Sequence, residues 1–226
     1  MTRVHPIRMV EDETGRFAAR PLFAKPDMDE GCERIVSGFL AERHGAVRYP
    51  LSTDDLTALI ERDTEDLDLY ADLSPYGRDV EGMTLFAPGR RPSVKISGRL
   101  TASRRQANRY RSTLAHEYAH VVLHAFLYDG LAETAVSERR GRSDWMEWQA
   151  NYAAFALLMP KTALAGTVAE LLGEEGLPGP PESGSAAERH IVATVRRRFA
   201  VSHAAARIRL DQHGHLQPGP RANPAS

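Results

Sequence analysis

The chain has 226 residues, 42% apolar and 26% charged, with a formal net charge of −1. That is the composition of a soluble globular protein with one good core and room for a small second lobe, and the charge gives no global reason to expect nucleic acid or an anionic membrane as partner. A single cysteine, Cys32, excludes an intramolecular disulfide; no apolar run reaches membrane-spanning length and no apolar signal segment opens the chain, so the expected setting is cytoplasmic.

Residues 1–26 carry Pro6, Pro21 and Pro26 and show no clear period, which predicts an irregular arm without an assigned role. Over 27–44 the apolar positions Met28, Cys32, Ile35, Val36, Phe39 and Leu40 recur at helical spacing, and Gly45 closes the run. Cys32 on that face reads as packing rather than as a reactive thiol. Ser52 followed by Asp54 and Asp55 predicts a second helix start, with Leu56, Leu59 and Ile60 on one face. Short strands follow around Leu67–Tyr70, over 80–86 and over 92–97, the last two joined by the turn residues Pro88, Gly89, Arg90 and Arg91. The segment 82–86 reads either as a sheet edge that receives substrate as an added strand or as a plain core strand. Four arginines (Arg104, Arg105, Arg109, Arg111) then lead into the next helix, either a solvated face or a basic rim.

That next helix carries His116-Glu117-Tyr118-Ala119-His120, an H-E-x-x-H pattern on an apolar run free of Pro and Gly. Four residues span about 6 Å of helix rise on one face, so both imidazoles can serve one ion. Glu117 lies about 100° round the helix, beside such an ion rather than on it, where a carboxylate can act as general base toward water. Alone the five residues also fit a buried helix with two hydrogen-bonded histidines, and a third ligand is needed.

Gly130 is expected to end this helix and Ser143 to cap the next, over 144–159, with Glu147, Asn151, Ala154, Phe155 and Leu158 on its inward face. Glu147 is then either the third ligand, its charge neutralised by a metal, or a residue at a wet helix end. Pro160 starts a further apolar helix through Leu172. Residues 174–186 read as a flexible linker, 187–199 as a helix, and Ser202 as the cap of a last helix through Leu210. The tail from Gln217 is Pro-rich and is expected to be disordered. The domain reading is therefore an N-terminal arm and helix (1–47), a metal-site domain (48–173), the linker (174–186), a helical segment (187–216) and a tail (217–226).

Arg111 through His120, with His124, followed by Glu147-Trp148-Gln149-Ala150-Asn151-Tyr152-Ala153-Ala154-Phe155-Ala156-Leu157-Leu158-Met159-Pro160, resembles the ImmA/IrrE family of zinc metallopeptidases. The strand over 80–86 and the stretch from Arg198-Phe199 to Arg209-Leu210 extend the likeness across about residues 48–214. Ala153 stands where many members have Phe, a matter of packing. The resemblance implies an α+β, mainly helical, zincin-like domain with a short sheet beside the H-E-x-x-H helix. It implies one Zn²⁺ held by His116, His120 and Glu147, with Glu117 activating water. It further implies cleavage of a helix-turn-helix repressor in a stress or mobile-element switch. His124 matches a position often His in the family and reads as a neighbour of the ligands rather than a fourth one. An oxyanion donor is expected, with Tyr118, Tyr152 and His190 among the candidates. Two rival readings stand beside the peptidase: a metal-stabilised protein that sequesters a repressor or pairs with a toxin, and a DNA binder using Arg196-Arg197-Arg198 beside the last helix, for which a solvated face is the plainer account.

Overall fold

In the computed structural model, which describes residues 3–129, 135–136 and 144–217, the first element is a hairpin that the sequence pattern does not announce. Strands β1 (Arg8–Glu11) and β2 (Ala19–Leu22) pair antiparallel, Arg8 opposite Leu22 and Glu11 opposite Ala19. Neither strand has an apolar face, so no two-residue period marks them; their loop holds the shape instead. Asp12 accepts hydrogen bonds from the backbone N–H and hydroxyl of Thr14 and from the N–H of Phe17, an Asx-type turn. The irregular arm of the sequence reading is thus a fastened hairpin.

The chain divides into two units, Met1–Leu158 and Met159–Ser226. In the first, helix α1 (Lys25–His44) buries Met28, Cys32, Ile35, Val36, Phe39 and Leu40, the face its spacing predicts, and ends at Gly45, whose left-handed φ of 70° lets its N–H reach the carbonyl of Ala41. Helix α2 (Thr53–Asp63) starts at Ser52, whose hydroxyl accepts the N–H of Asp55. Strands β3 (Asp66–Ala71), β4 (Gly82–Phe86) and β5 (Ser93–Ser97) follow, then the one-turn helix α3 (Gly98–Thr101), the long helix α4 (Ala107–His124), the short strand β6 (Ala135–Val136) and helix α5 (Trp145–Leu158). The sheet runs β3-β5-β4-β6; β3 and β5 are parallel, and β4 is antiparallel to both of its neighbours. Strand β4 is therefore an inner strand, with Leu85 and Phe86 paired to β6 and only Leu85 partly exposed. Gly82, Met83 and Thr84 pair with β5 alone, so their far edge has no ladder partner among the described residues, while their burial is what the core-strand reading expects.

Helix α4 lies against β4 and α5, and its residues 113–124 are all buried. A helix buried on every side is the middle of a core rather than its cover, and here it carries polar side chains into that core. Arg111 at its start is buried as well, donating to the carbonyl of Leu51 at 2.7 Å and to the hydroxyl of Thr53, so it ties α4 to the start of α2. Of the four arginines read as a rim, Arg104, Arg105 and Arg109 are exposed, and Arg109 pairs with Glu81. Helix α4 ends at His124 and tightens into a 3₁₀ turn, Ala125–Tyr128; the expected stop at Gly130 and cap at Ser143 fall outside the described residues. Beyond that turn, Phe86, Ala125, Tyr128 and Met146 form a cluster under Phe17, with the Phe86 and Tyr128 rings stacked 4.1 Å apart.

In the second unit, α6 (Lys161–Glu174), α7 (Ala186–Phe199) and α8 (His203–Gln212) pack through Leu164, Val168, Ile191, Val195, Phe199 and Leu210. Ser185 and Ser202 cap α7 and α8 by accepting the N–H groups of Glu188 and Ala205. The connection between α6 and α7 is met by Gln217, whose backbone and side-chain N–H groups donate to the carbonyls of Pro181 and Pro180. Of the three arginines considered for DNA contact, Arg198 pairs with Glu170 and Arg197 donates to Thr194 on its own helix. Among the described residues no single helix is long and apolar enough to cross a membrane.

Candidate metal centre

Helix α4 presents His116 and His120 one turn apart, and α5 brings Glu147 against them. The two Nε2 atoms are 3.2 Å apart; Glu147 places one oxygen 3.2 Å from His120 Nε2 and the other 3.4 Å from His116 Nε2. One ligand atom from each residue lies within 4.8 Å of the others, a group able to hold a metal ion. Burial on its own would raise the pKa of Glu147, but the hydrogen bonds and charge of His116 and His120 outweigh it and hold the carboxyl far below its ordinary range. The donor set fits a divalent cation: two imidazole nitrogens and a carboxylate turned to one point, two of them buried and the third mostly so.

Glu117 does not belong to this group. Its carboxylate turns to β4, where the Thr84 hydroxyl lies 2.8 Å from Oε2 and can donate to it. Gly82, two residues back on the same strand, lets β4 lie this close. A Cβ there would fall 2.6 Å from Glu117 Oε1 and 2.7 Å from Thr113 Cγ2, nearer than real contacts allow. The strand thus supplies a donor at one position and space at another, and both act on a single carboxylate.

Behind His120 the next turn of α4 adds His124, fully buried, with its Nδ1 3.1 Å from His120 Nδ1 and its Nε2 2.9 Å from Gln149 Oε1. Burial first, and the neighbouring His120 second, push the His124 pKa well below its ordinary value. This is the supporting position anticipated for it. Gln149 escaped the sequence reading; its amide also donates to the carbonyl of Pro21 at 3.0 Å. The start of α5 is held by the N-terminal loop. Asp144 accepts the N–H of Met146 in the manner of a cap and pairs with Arg16, and Trp145 Nε1 donates to Asp12.

The inward face of α5 differs from the expected one. Ala154 and Leu158 are buried as expected, but Asn151 is exposed and Phe155 only partly buried, while Met146, Gln149, Ala150, Ala153 and Leu157 are buried as well. With small apolar residues round most of the helix, the pattern could not fix its rotation. Of the oxyanion candidates named, Tyr118 donates to Asp63 at 2.6 Å and Tyr152 to Asp29 at 2.9 Å, and within the second unit His190 lies 4.0 Å from Glu175. Burial, followed by the charge of Asp63, raises the Tyr118 pKa well above its ordinary value. Trp148, beside Glu147, is about half exposed and stacks on Tyr152.

No curated protein matches the chain. A family model described as the IrrE N-terminal-like domain, Peptidase_M78, matches residues 99–211, which contain α4, α5 and all three residues of the metal group. The chain belongs to this family, and a metallopeptidase-like function goes with it.

Proposed function

We propose that this member of the IrrE N-terminal-like family is a zinc-dependent endopeptidase whose substrate is a helix-turn-helix repressor, cleaved in a stress or mobile-element switch in the cytoplasm. The observation that carries the chemistry is the separation of roles on one helix: His116 and His120 converge with Glu147, while Glu117 is kept out of that group by Thr84. His116 Nε2, His120 Nε2 and the Glu147 carboxylate would hold the ion, a two-histidine, one-glutamate set of the kind that catalytic zinc takes. Bound there, zinc supplies a charge that acidifies water and polarises a peptide carbonyl. Held by the Thr84 hydroxyl at Oε2, the Glu117 carboxylate would receive the proton of the attacking water and return it to the leaving amine. Burial of Glu117 and both histidines excludes bulk water that would screen these charges.

Zinc per chain, measured by elemental analysis after exhaustive dialysis, tests the ligand set: about one in the wild type and strong loss in Glu147→Ala are expected. Glu117→Gln should keep the zinc and lose cleavage of the repressor; a variant that still cleaves sinks the role given to Glu117. If that variant binds the repressor and still frees its operator, the metal-stabilised sequestering protein becomes the better reading.

A further inference from the structure

The N-terminal hairpin lies outside the family match and has no part in the reaction as written, yet its strand β2 touches a chain of polar groups that ends on His120. The order is Pro21 carbonyl, Gln149 amide, His124 ring, His120 ring, at 3.0, 2.9 and 3.1 Å in turn. Each link has only certain ways to be satisfied. A carbonyl accepts and cannot donate, so the Gln149 NH₂ must face Pro21 and its oxygen must face His124. An oxygen facing His124 Nε2 requires the proton to be on that nitrogen. His124 Nδ1 then faces His120 Nδ1, and two ring nitrogens at 3.1 Å hold one proton between them. If His120 is to offer Nε2 as a bare ligand atom, its own proton must sit on Nδ1 and His124 Nδ1 must accept it.

We propose that the backbone carbonyl of Pro21, acting through Gln149 and His124, fixes the tautomer of His120 and so keeps its Nε2 lone pair turned to the metal group. Gln149 and His124 are positioning residues in this scheme, and β2 is its fixed end. The hairpin is fastened for that task by its loop, since Arg16 pairs with Asp144 and Asp12 accepts from Trp145 at the start of the helix that carries both Glu147 and Gln149. The three links from Pro21 through Gln149 and His124 to His120 bury their polar atoms in the interior of the first unit, where an unmade hydrogen bond is costly and the alternatives are few. The inference rests on the metal-ligand role given to His120.

Two measurements test it. Long-range ¹H–¹⁵N spectra of the histidine rings, recorded on metal-free and zinc-loaded wild type at pH 7, should show His124 protonated on Nε2 alone in both, and His120 on Nδ1 alone once zinc displaces the proton that Nε2 shares with Glu147 in the metal-free form. A His124 ring with its proton on Nδ1, or with both nitrogens protonated, overturns the proposal. Gln149→Leu keeps the volume and removes both links; its zinc affinity, read by competition with a chromophoric chelator, should fall roughly tenfold to a hundredfold, the usual effect of losing such a support. Its His124 ring should show a mixture of tautomers. Affinity within about twofold of the wild type, in a variant that folds by circular dichroism, overturns the scheme. Should that variant fail to fold, the wild-type ring spectra decide alone. A wild type that binds no zinc overturns the metal reading beneath, and the metal-free ring spectra then judge the hydrogen-bond chain separately.

Discussion

Replacing Gly82 by alanine tests the seat of Glu117 without altering any donor of the metal group. The new Cβ would stand 2.6 Å from Glu117 Oε1, 2.8 Å from Glu117 Cγ and 2.7 Å from Thr113 Cγ2, against 3.4 Å for ordinary contact. Each gap is short by roughly 0.6 to 0.8 Å. All three atoms belong to α4, which is buried on every side from Thr113 onward and has little freedom to retreat. Overpacking of this kind costs about 1–3 kcal/mol. Against it, Gly82 is not among the glycines with positive φ, so alanine fits its backbone and recovers about 0.4–1 kcal/mol by restricting the unfolded chain. The net expectation is a loss of about 0–2.6 kcal/mol. Trp145 and Trp148, the only tryptophans, both lie in the first unit, so urea unfolding followed by their fluorescence reports on the right part of the molecule. In a Thr113→Ser, Glu117→Ala background all three close atoms are gone, and Gly82→Ala should become neutral or stabilise by up to about 1 kcal/mol. The same destabilisation in both backgrounds would refute the idea that β4 and the Glu117 side chain are pressed together in solution.

Burial would raise the pKa of Asp55, but the Ser52 hydroxyl, His44 and Arg43 outweigh it and hold the group below its ordinary 3.8. A depressed carboxylate adds stability above its unfolded pKa and loses it as pH falls through the folded value. Urea midpoints of the first unit should therefore fall less steeply below about pH 4 in Asp55→Asn than in the wild type; parallel curves would contradict the assignment. Ala200 ends α7 with a left-handed φ of 51°, a conformation costing a residue with a Cβ about 1–2 kcal/mol. Ala200→Gly should raise the melting midpoint of the second unit, by somewhat less than that energy because glycine also loosens the unfolded chain. Zinc at about a hundred times its dissociation constant should stabilise the wild type by about 2.7 kcal/mol and leave Glu147→Ala unmoved, as read by thermal melts with and without chelator. An equal zinc-dependent shift in both proteins would remove Glu147 from the ligand set.

Much of the site could be read from the sequence because its spacing is dictated by helix geometry. His116 and His120 had to share a face of α4, and Glu117 had to leave it; both hold. The strands around β4 and β5 carried alternating apolar residues and turn chemistry, so they too were visible. What escaped was held by polar contacts between distant segments, which leave no period. Asp12 to Trp145 and Gln149 to Pro21 each link residues more than 120 positions apart, and neither end looks unusual in its own neighbourhood. The rotation of α5 is legible only in part, right at Glu147, Ala154 and Leu158 and wrong at Asn151, because an excess of apolar residues lets several faces pass as the inner one. A buried glutamine two places after a proposed ligand was the one local sign available, and only its burial gives it meaning.

Strand β4 ends thirteen residues before the family match begins (99 − 86), and β2 ends earlier still. Residues 99–211 by themselves are thus not a self-sufficient module. A fragment cut at its borders would keep His116, His120 and Glu147 and lose the wall on which the Glu117 carboxylate leans. It would lose the far anchor of the His120 support as well. Grafting α4 and α5 into another scaffold would meet the same shortage, because the parts that give these side chains their direction are supplied by segments outside residues 99–211. Borders drawn by likeness and borders drawn by mechanical dependence do not coincide in this chain, and the second kind should guide where it is cut.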